Sequence, residues 1–328
     1  MRREDVGDGA GGWMCLRLRV ERSAVSGLRV EVASGGRMVI TEGGGGARLV
    51  AWRRPQWEGV DWTRAADAGI YASPVGPFSA ERARKISEDP GGAHTRWAHL
   101  FADRLWEAGG PLHSGTWILA PGDWPSSGAI DRAARWHASV HTDHPAGFVD
   151  WRPHAAREQI LPLRQLSPAD AGRVKALRKL ARDGCLPPVL LWWISGLNCL
   201  VVLDGHDRIV AARAEGVAPP VLELGLAARE QQTSAALTYA ESRYVQHLTQ
   251  ADERATNGDP LAPYAKAAAG REFARGLGRI AALFGPTRAW ALPGGMAAWE
   301  ARATAHAPGW LALTEAARHM RATTGLSR

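Results

Sequence analysis

Between residues 13 and 53 apolar and polar residues alternate. Met14, Leu16, Leu18 and Val20 interleave with Arg17, Arg19 and Glu21, and Leu28, Val30 and Val32 resume the period of two. Alternation of that kind marks half-buried strands, and the glycine-bearing breaks "SG", "SGGR" and "EGGGGAR" read as turns, so the segment predicts an antiparallel meander of about four strands. From 54 to 150 periodicity gives way to Trp, Pro and Gly. One helix stands out, in "TRWAHLFADRLWEAG", where Trp97, Leu100, Phe101 and Leu105 share a face.

The pattern is plainest from 159 to 224. "ILPL" reads as a short strand. Ser167 suits a helix N-cap, Pro168 the first helical position and Asp170 the acid of a capping box, predicting a helix to Arg182 that buries Val174, Leu177 and Leu180 and stops at Gly184. "PPVLLWWI", "SGLN" and "CLVVLD" read as a β-hairpin. A helix from Arg208 to Glu215, a stop at Gly216 and a strand "PPVLEL" complete the unit. Beyond 226 the periodicity is helical, with Leu237, Tyr244 and Leu248 on one stretch, Ile280, Leu283 and Phe284 on another, and "NGDPLAP" as a linker. The expectation is an α+β protein in three parts: a β-rich region over 1–150, a mixed domain over 158–224 and a helical region over 226–328.

Composition narrows the function classes. A chain of 328 residues has room for more than one core. No run approaches the roughly 18 apolar residues of a membrane span. The start, "MRREDVGDGAGG", lacks the apolar stretch of a signal peptide, so the expected setting is cytoplasmic with no membrane partner. Cys15, Cys185 and Cys199 show no C-x-x-C spacing, which argues against a disulfide framework or a structural zinc site. The charge of +7 and pI near 9.8 favour anionic partners such as nucleic acid, nucleotides or phosphorylated substrates. That charge is spread along the chain in no block of five, and among the 40 basic residues only Lys85, Lys175, Lys179 and Lys266 are lysine, which looks like a compositional bias.

The chemistry concentrates in "VVLDGHDRIVAARAEG", residues 201–216. There a strand ends, glycine permits close backbone approach and a helix begins with unpaired N–H groups, an arrangement that attracts an anion. Arg208 can fork onto phosphate oxygens, Asp204 can hold a magnesium ion, and His206 can donate a hydrogen bond or move a proton near neutral pH. The plainer reading is a turn at Gly205 with a local Asp204–Arg208 pair. Three other features carry less. His137 and His141, one helical turn apart and followed by Asp143 and His144, have a spacing that can bind a transition metal, against a plainer hydrogen-bonded role. "GRIAALFGPTRAWAL" reads as a packed helical hairpin more readily than as a DNA-reading helix-turn-helix. Arg173, Lys175, Arg178, Lys179 and Arg182 read as a solvated helix face or a contact to nucleic acid backbone.

The order strand, helix, hairpin, Asp-Gly-His-x-Arg, short helix with "AAR", Gly, strand resembles the ParB/sulfiredoxin domain over residues 158–224, as does "LRKLARDGCLPPVLLWW". The resemblance implies a nucleotide or phosphate site at Gly205, His206 and Arg208, served by a nucleoside triphosphate or diphosphate with magnesium. It does not fix a reaction, because the superfamily includes sulfiredoxins, CTP-binding partition proteins, reported nucleases and free-serine kinases. Sulfiredoxins carry cysteine where this chain has His206. Partition proteins have a second arginine motif, which "AESRYVQ" resembles only faintly. The kinase-like branch is closer at "DGH", but Asp207 stands where it has a second histidine. Such a kinase needs a carboxylate base, for which Asp170 is the nearest position and Glu158 an alternative. Three functions follow as expectations: a nucleotide- or phosphate-binding protein with phosphotransfer or hydrolysis through Asp204, His206 and Asp170; a DNA-associated protein switched by nucleotide, its C-terminal helices carrying DNA contacts or a homodimer; and an interaction module with an inert loop.

Overall fold

A computed structural model describes residues 1–7, 12–21, 27–43, 45–54, 59–65, 71–122, 131–141, 145–151, 159–307, 309–312 and 314. The chain opens with β1 (Arg2–Gly7) and β2 (Trp13–Val20), followed by β3 (Leu28–Ala33), β4 (Arg37–Glu42), β5 (Gly46–Arg54) and β6 (Gly59–Arg64). Helices α1 (Ala80–Ser87) and α2 (Pro90–Ala108) lead to β7 (Gly115–Pro121), α3 (Arg132–Ser139) and β8 (Ala146–Asp150). Then come β9 (Ile160–Pro162), α4 (Gly172–Arg182), β10 (Val189–Ile194), β11 (Cys199–Asp204), α5 (His206–Ala214) and β12 (Val221–Leu226). The chain continues through α6 (Glu230–Thr256), α7 (Ala262–Ala281), β13 (Ala289–Ala291) and α8 (Gly295–His306). The molecule is of the α+β class, and no described helix is long and apolar enough to cross a membrane.

Two sheets organise the described strands, in the orders β1-β2-β7-β12-β10-β11-β9 and β13-β3-β4-β5-β6-β8. The alternation at 13–53 is real, but it is not one meander. β2 pairs antiparallel with β1 and β7, whereas β3 to β6 form the meander of the other sheet. Alternation fixes which side chains face inward and leaves the partner strand open. The first sheet therefore runs from strands before residue 150 into those after 158, because β7 pairs with β12 at Leu119 and Leu224. α2 covers this sheet with the expected face: Trp97, Phe101 and Leu105 are at most 2% exposed and pack in one cluster with Leu16, Leu18, Trp117 and Trp192.

The hairpin at 189–204 forms as its sequence predicts, β10 antiparallel to β11 and parallel to β12, with β9 parallel to β11. Elsewhere the pattern misleads. α4 begins at Gly172 with Ala171 as an N-cap that makes no side-chain bond, so the Ser167–Asp170 capping box is absent. The second helix of "GRIAALFGPTRAWAL" is absent too. After α7 the chain runs extended, Thr287 donating to the Trp193 carbonyl at 3.0 Å and accepting from the Ser195 amide at 3.0 Å, and β13 joins β3 in parallel. α6 and α7 form a helical hairpin whose core includes a Tyr244–Phe273 stack with centroids 4.7 Å apart.

Candidate functional site

The Asp-Gly-His-Asp-Arg stretch lies where β11 turns into α5. Gly205 holds φ at +99°, and a Cβ there would sit 3.0 Å from Arg208 Nε and 3.1 Å from Val189 Cα, so both conformation and space require glycine. The helix starts at His206, two residues before its predicted start. No side chain caps it, and the first intrahelical bond is Ile209 N–H to the Gly205 carbonyl at 3.0 Å. The amides of His206, Asp207 and Arg208 precede that bond and form the electropositive end of α5. The hydropathy pattern put the helix start two residues late because His206, Asp207 and Arg208 are all buried, between 2% and 7% exposed.

This helix end borders a cavity of about 700 Å³ enclosed with α4, the 164–165 loop and residues 71–80. Three arginines line it, but they are not equivalent. Arg208 is closed into an internal ion pair with Asp204 and also donates to the Pro188 carbonyl. Burial, then the charge of Arg173, lowers its pKa to about 9. The other Asp204 oxygen accepts from Ser73 Oγ at 2.7 Å. Each carboxylate oxygen thus has a partner within the protein, Ser73 on one and Arg208 on the other. The local Asp204–Arg208 pair of the plainer reading is present, and the expected fork of Arg208 onto phosphate meets a guanidinium already committed to Asp204 and Pro188.

Arg164 and Arg173 are the cations presented to the cavity, and Asp207 organises both. One Asp207 oxygen accepts from Arg164 Nη2 and from Ser167 Oγ, each at 2.7 Å, and the other faces Arg173 Nε at 3.3 Å. Burial pushes this carboxyl up, but the bonds from Arg164 and Ser167 and the charges of Arg164 and Arg173 outweigh it, so it lies below the ordinary carboxylate range. Ser167, expected to cap a helix, instead anchors this cluster. The Arg173 side chain is 63% exposed and that of Arg164 27%, so Arg173 is the more solvent-facing of the two.

His206 is 2% exposed, its ring set edge-on to Tyr71 at 5.6 Å, and its Nε2 has no hydrogen-bond partner. Burial, with the charges of Arg164 and Arg64, depresses its pKa well below the usual value, so the imidazole is neutral at pH 7. Tyr71 donates its hydroxyl to the Leu203 carbonyl at 2.9 Å. The lining also includes the apolar Pro77, Phe78, Ala176, Leu177, Leu180 and Pro187, with the Phe78 ring centroid 5.9 Å from the Arg208 guanidinium carbon.

Of the site residues expected from the sequence, Asp204, Gly205, His206 and Arg208 come together at the cavity. Asp170 does not: it is exposed and outside the lining. Glu158 lies outside the described residues. So do Asp143 and His144, while His137 and His141 are bonded separately, to the Val217 carbonyl at 3.0 Å and to Gln159 Oε1 at 2.8 Å. Among the described residues no group of three or more His, Cys, Asp and Glu is placed to hold a metal. Arg178 and Arg182 of the basic α4 face close on Glu215 at 2.5 and 2.8 Å. Sequence reasoning missed Ser73, Phe78, Arg164 and the joint role of Asp207 and Arg173. The only local signal was the acid directly after Asp-Gly-His, which needs cations to be buried. No protein-family model, curated protein or solved structure matches the chain.

Proposed function

We propose that the protein binds a phosphate-bearing small molecule, a nucleotide among the candidates, at the amino end of α5, on a ParB/sulfiredoxin-like unit over residues 158–224. The observation that carries this reading is the uncapped start of α5 facing a cavity of about 700 Å³ together with Arg164 and Arg173. Free amides and a helix dipole stabilise a phosphoryl group, and planar guanidinium groups add directed donors. The order β12-β10-β11-β9, with α4 and α5 as connecting helices, supports the superfamily resemblance.

Phosphotransfer needs a base beside an acceptor, and Asp170 is not in the lining. His206 is neutral and sits at the helix end, where it suits a hydrogen-bonding role. For a DNA-associated role, the α4 face retains exposed Lys175 and Lys179 after Arg173, Arg178 and Arg182 have been drawn into pairs.

The test is a thermal-shift series with ATP, ADP, CTP, GTP and inorganic phosphate, with and without magnesium, on wild type and Arg173→Ala. Ligands that bind only the folded state raise the midpoint by linkage. The expected result is a rise with at least one phosphate compound that shrinks in Arg173→Ala. No rise with any of them, alongside salt-dependent duplex DNA binding, would replace this reading with the DNA-associated one.

A further inference from the structure

The charge balance of the cavity says more about its ligand, taking the proposed phosphate site as the starting point. Among the lining residues Arg164, Arg173 and Arg208 are cationic and Asp204 and Asp207 anionic. Arg208 and Asp204 cancel in a closed pair. Asp207 then offsets one of the two remaining arginines, because it bridges both. What is left is one formal positive charge plus the end of α5, worth about half a charge. A phosphate monoester carries about −1.5 to −2 at pH 7 and matches that remainder. A diphosphate or triphosphate brings further negative charge up to Asp207, which is 7% exposed and poorly screened. Among the described cations close by, Arg48 closes on Glu42, and Arg64, whose charge reaches His206, stands outside the lining and donates to the Arg164 carbonyl at 3.2 Å.

The apolar part of the lining constrains the rest of the molecule. Pro77, Leu177, Leu180 and Pro187 bring no side-chain donor, and Phe78 is held in place by Trp97, edge-on at 5.0 Å, and by Phe101 at 5.7 Å. A fixed aromatic ring in an apolar wall suits an apolar or aromatic body. We infer that the cavity takes an organic monophosphate with an apolar or aromatic body, and that Asp207 sets this class by repelling longer phosphate chains.

The experiment is a binding ladder by calorimetry at fixed ionic strength, using inorganic phosphate, phenyl phosphate, AMP and ATP, each without and with magnesium. Wild type is expected to bind phenyl phosphate more tightly than inorganic phosphate, and AMP more tightly than magnesium-free ATP, with magnesium narrowing that gap by neutralising part of the ATP charge. In Asp207→Asn the AMP-to-ATP preference shifts roughly tenfold toward ATP, the size of one unscreened like-charge contact. Loss of arginine positioning alone would weaken both nucleotides alike and leave their ratio unmoved. Tighter ATP than AMP on wild type without magnesium, or an unmoved magnesium-free ratio in a folded Asp207→Asn, overturns the inference while the phosphate site stands. If Asp207→Asn does not fold, the wild-type ladder decides the ligand class, and Asp207→Glu, which keeps the charge, must keep its order. Binding by none of the four compounds removes the phosphate site itself.

Discussion

At the scale of single residues, one loop divides its charges between structure and binding. Arg208 is buried with Asp204, and removing one partner of such a pair leaves an uncompensated charge. Arg208→Ala should therefore lower the free energy of unfolding by about 3–5 kcal/mol, read from urea denaturation. Arg173→Ala, at an exposed side chain, should cost less than about 1 kcal/mol on the same measurement. Loss of ligand in Arg208→Ala would consequently say little about contact, and Arg173→Ala is the informative variant. His206 adds a pH dependence. Its folded pKa lies well below 6.5 and its unfolded value near 6.5, so in the window between them the unfolded chain binds more protons. Stability should fall as pH drops below about 6.5, and replacing His206 with Gln should flatten that part of the curve. Asp207, also depressed, loses its contribution only at lower pH, below the ordinary carboxylate range.

At the scale of elements, the start of α5 is the feature most sensitive to a small change. Gly205→Ala imposes a Cβ on a left-handed backbone and against Val189 Cα, for an expected cost of about 1–3 kcal/mol and a lower melting temperature. α6 presents the opposite case. Of its 27 residues only Ala251 is buried, and it packs chiefly on α7, so its amides should exchange with solvent faster than those of α2, which buries six side chains. Uniform protection across both helices in a hydrogen-exchange experiment would contradict this. Legibility at this scale was uneven. The β10–β11 hairpin and α2 follow from apolar period and turn residues. The start of α5 and the fate of Ser167 do not, because buried charges break the hydropathy signal and a capping motif was available to a residue that bonds Asp207 instead.

At the scale of the whole molecule, the unit over 158–224 is built into a larger sheet. β12 takes β7 as its second neighbour, Tyr71 and Ser73 bond to Leu203 and Asp204, and α2 shares one core with β10 and β11. A fragment of residues 158–226 should therefore be unfolded when expressed alone, judged by circular dichroism and amide chemical-shift dispersion, since the strand face packed with α2 and the β12 edge paired with β7 lose their cover. The sequence by itself determined the α+β class, the strands and helices of strong period, and the turn at Gly205, because these depend on neighbours within a few residues. Which strands share a sheet, which arginines face the cavity and which close on a carboxylate were decided by tertiary structure alone. Pairings such as Ser73 with Asp204 or Arg164 with Asp207 join residues far apart in the chain, and no local pattern encodes which distant charge will satisfy a buried one.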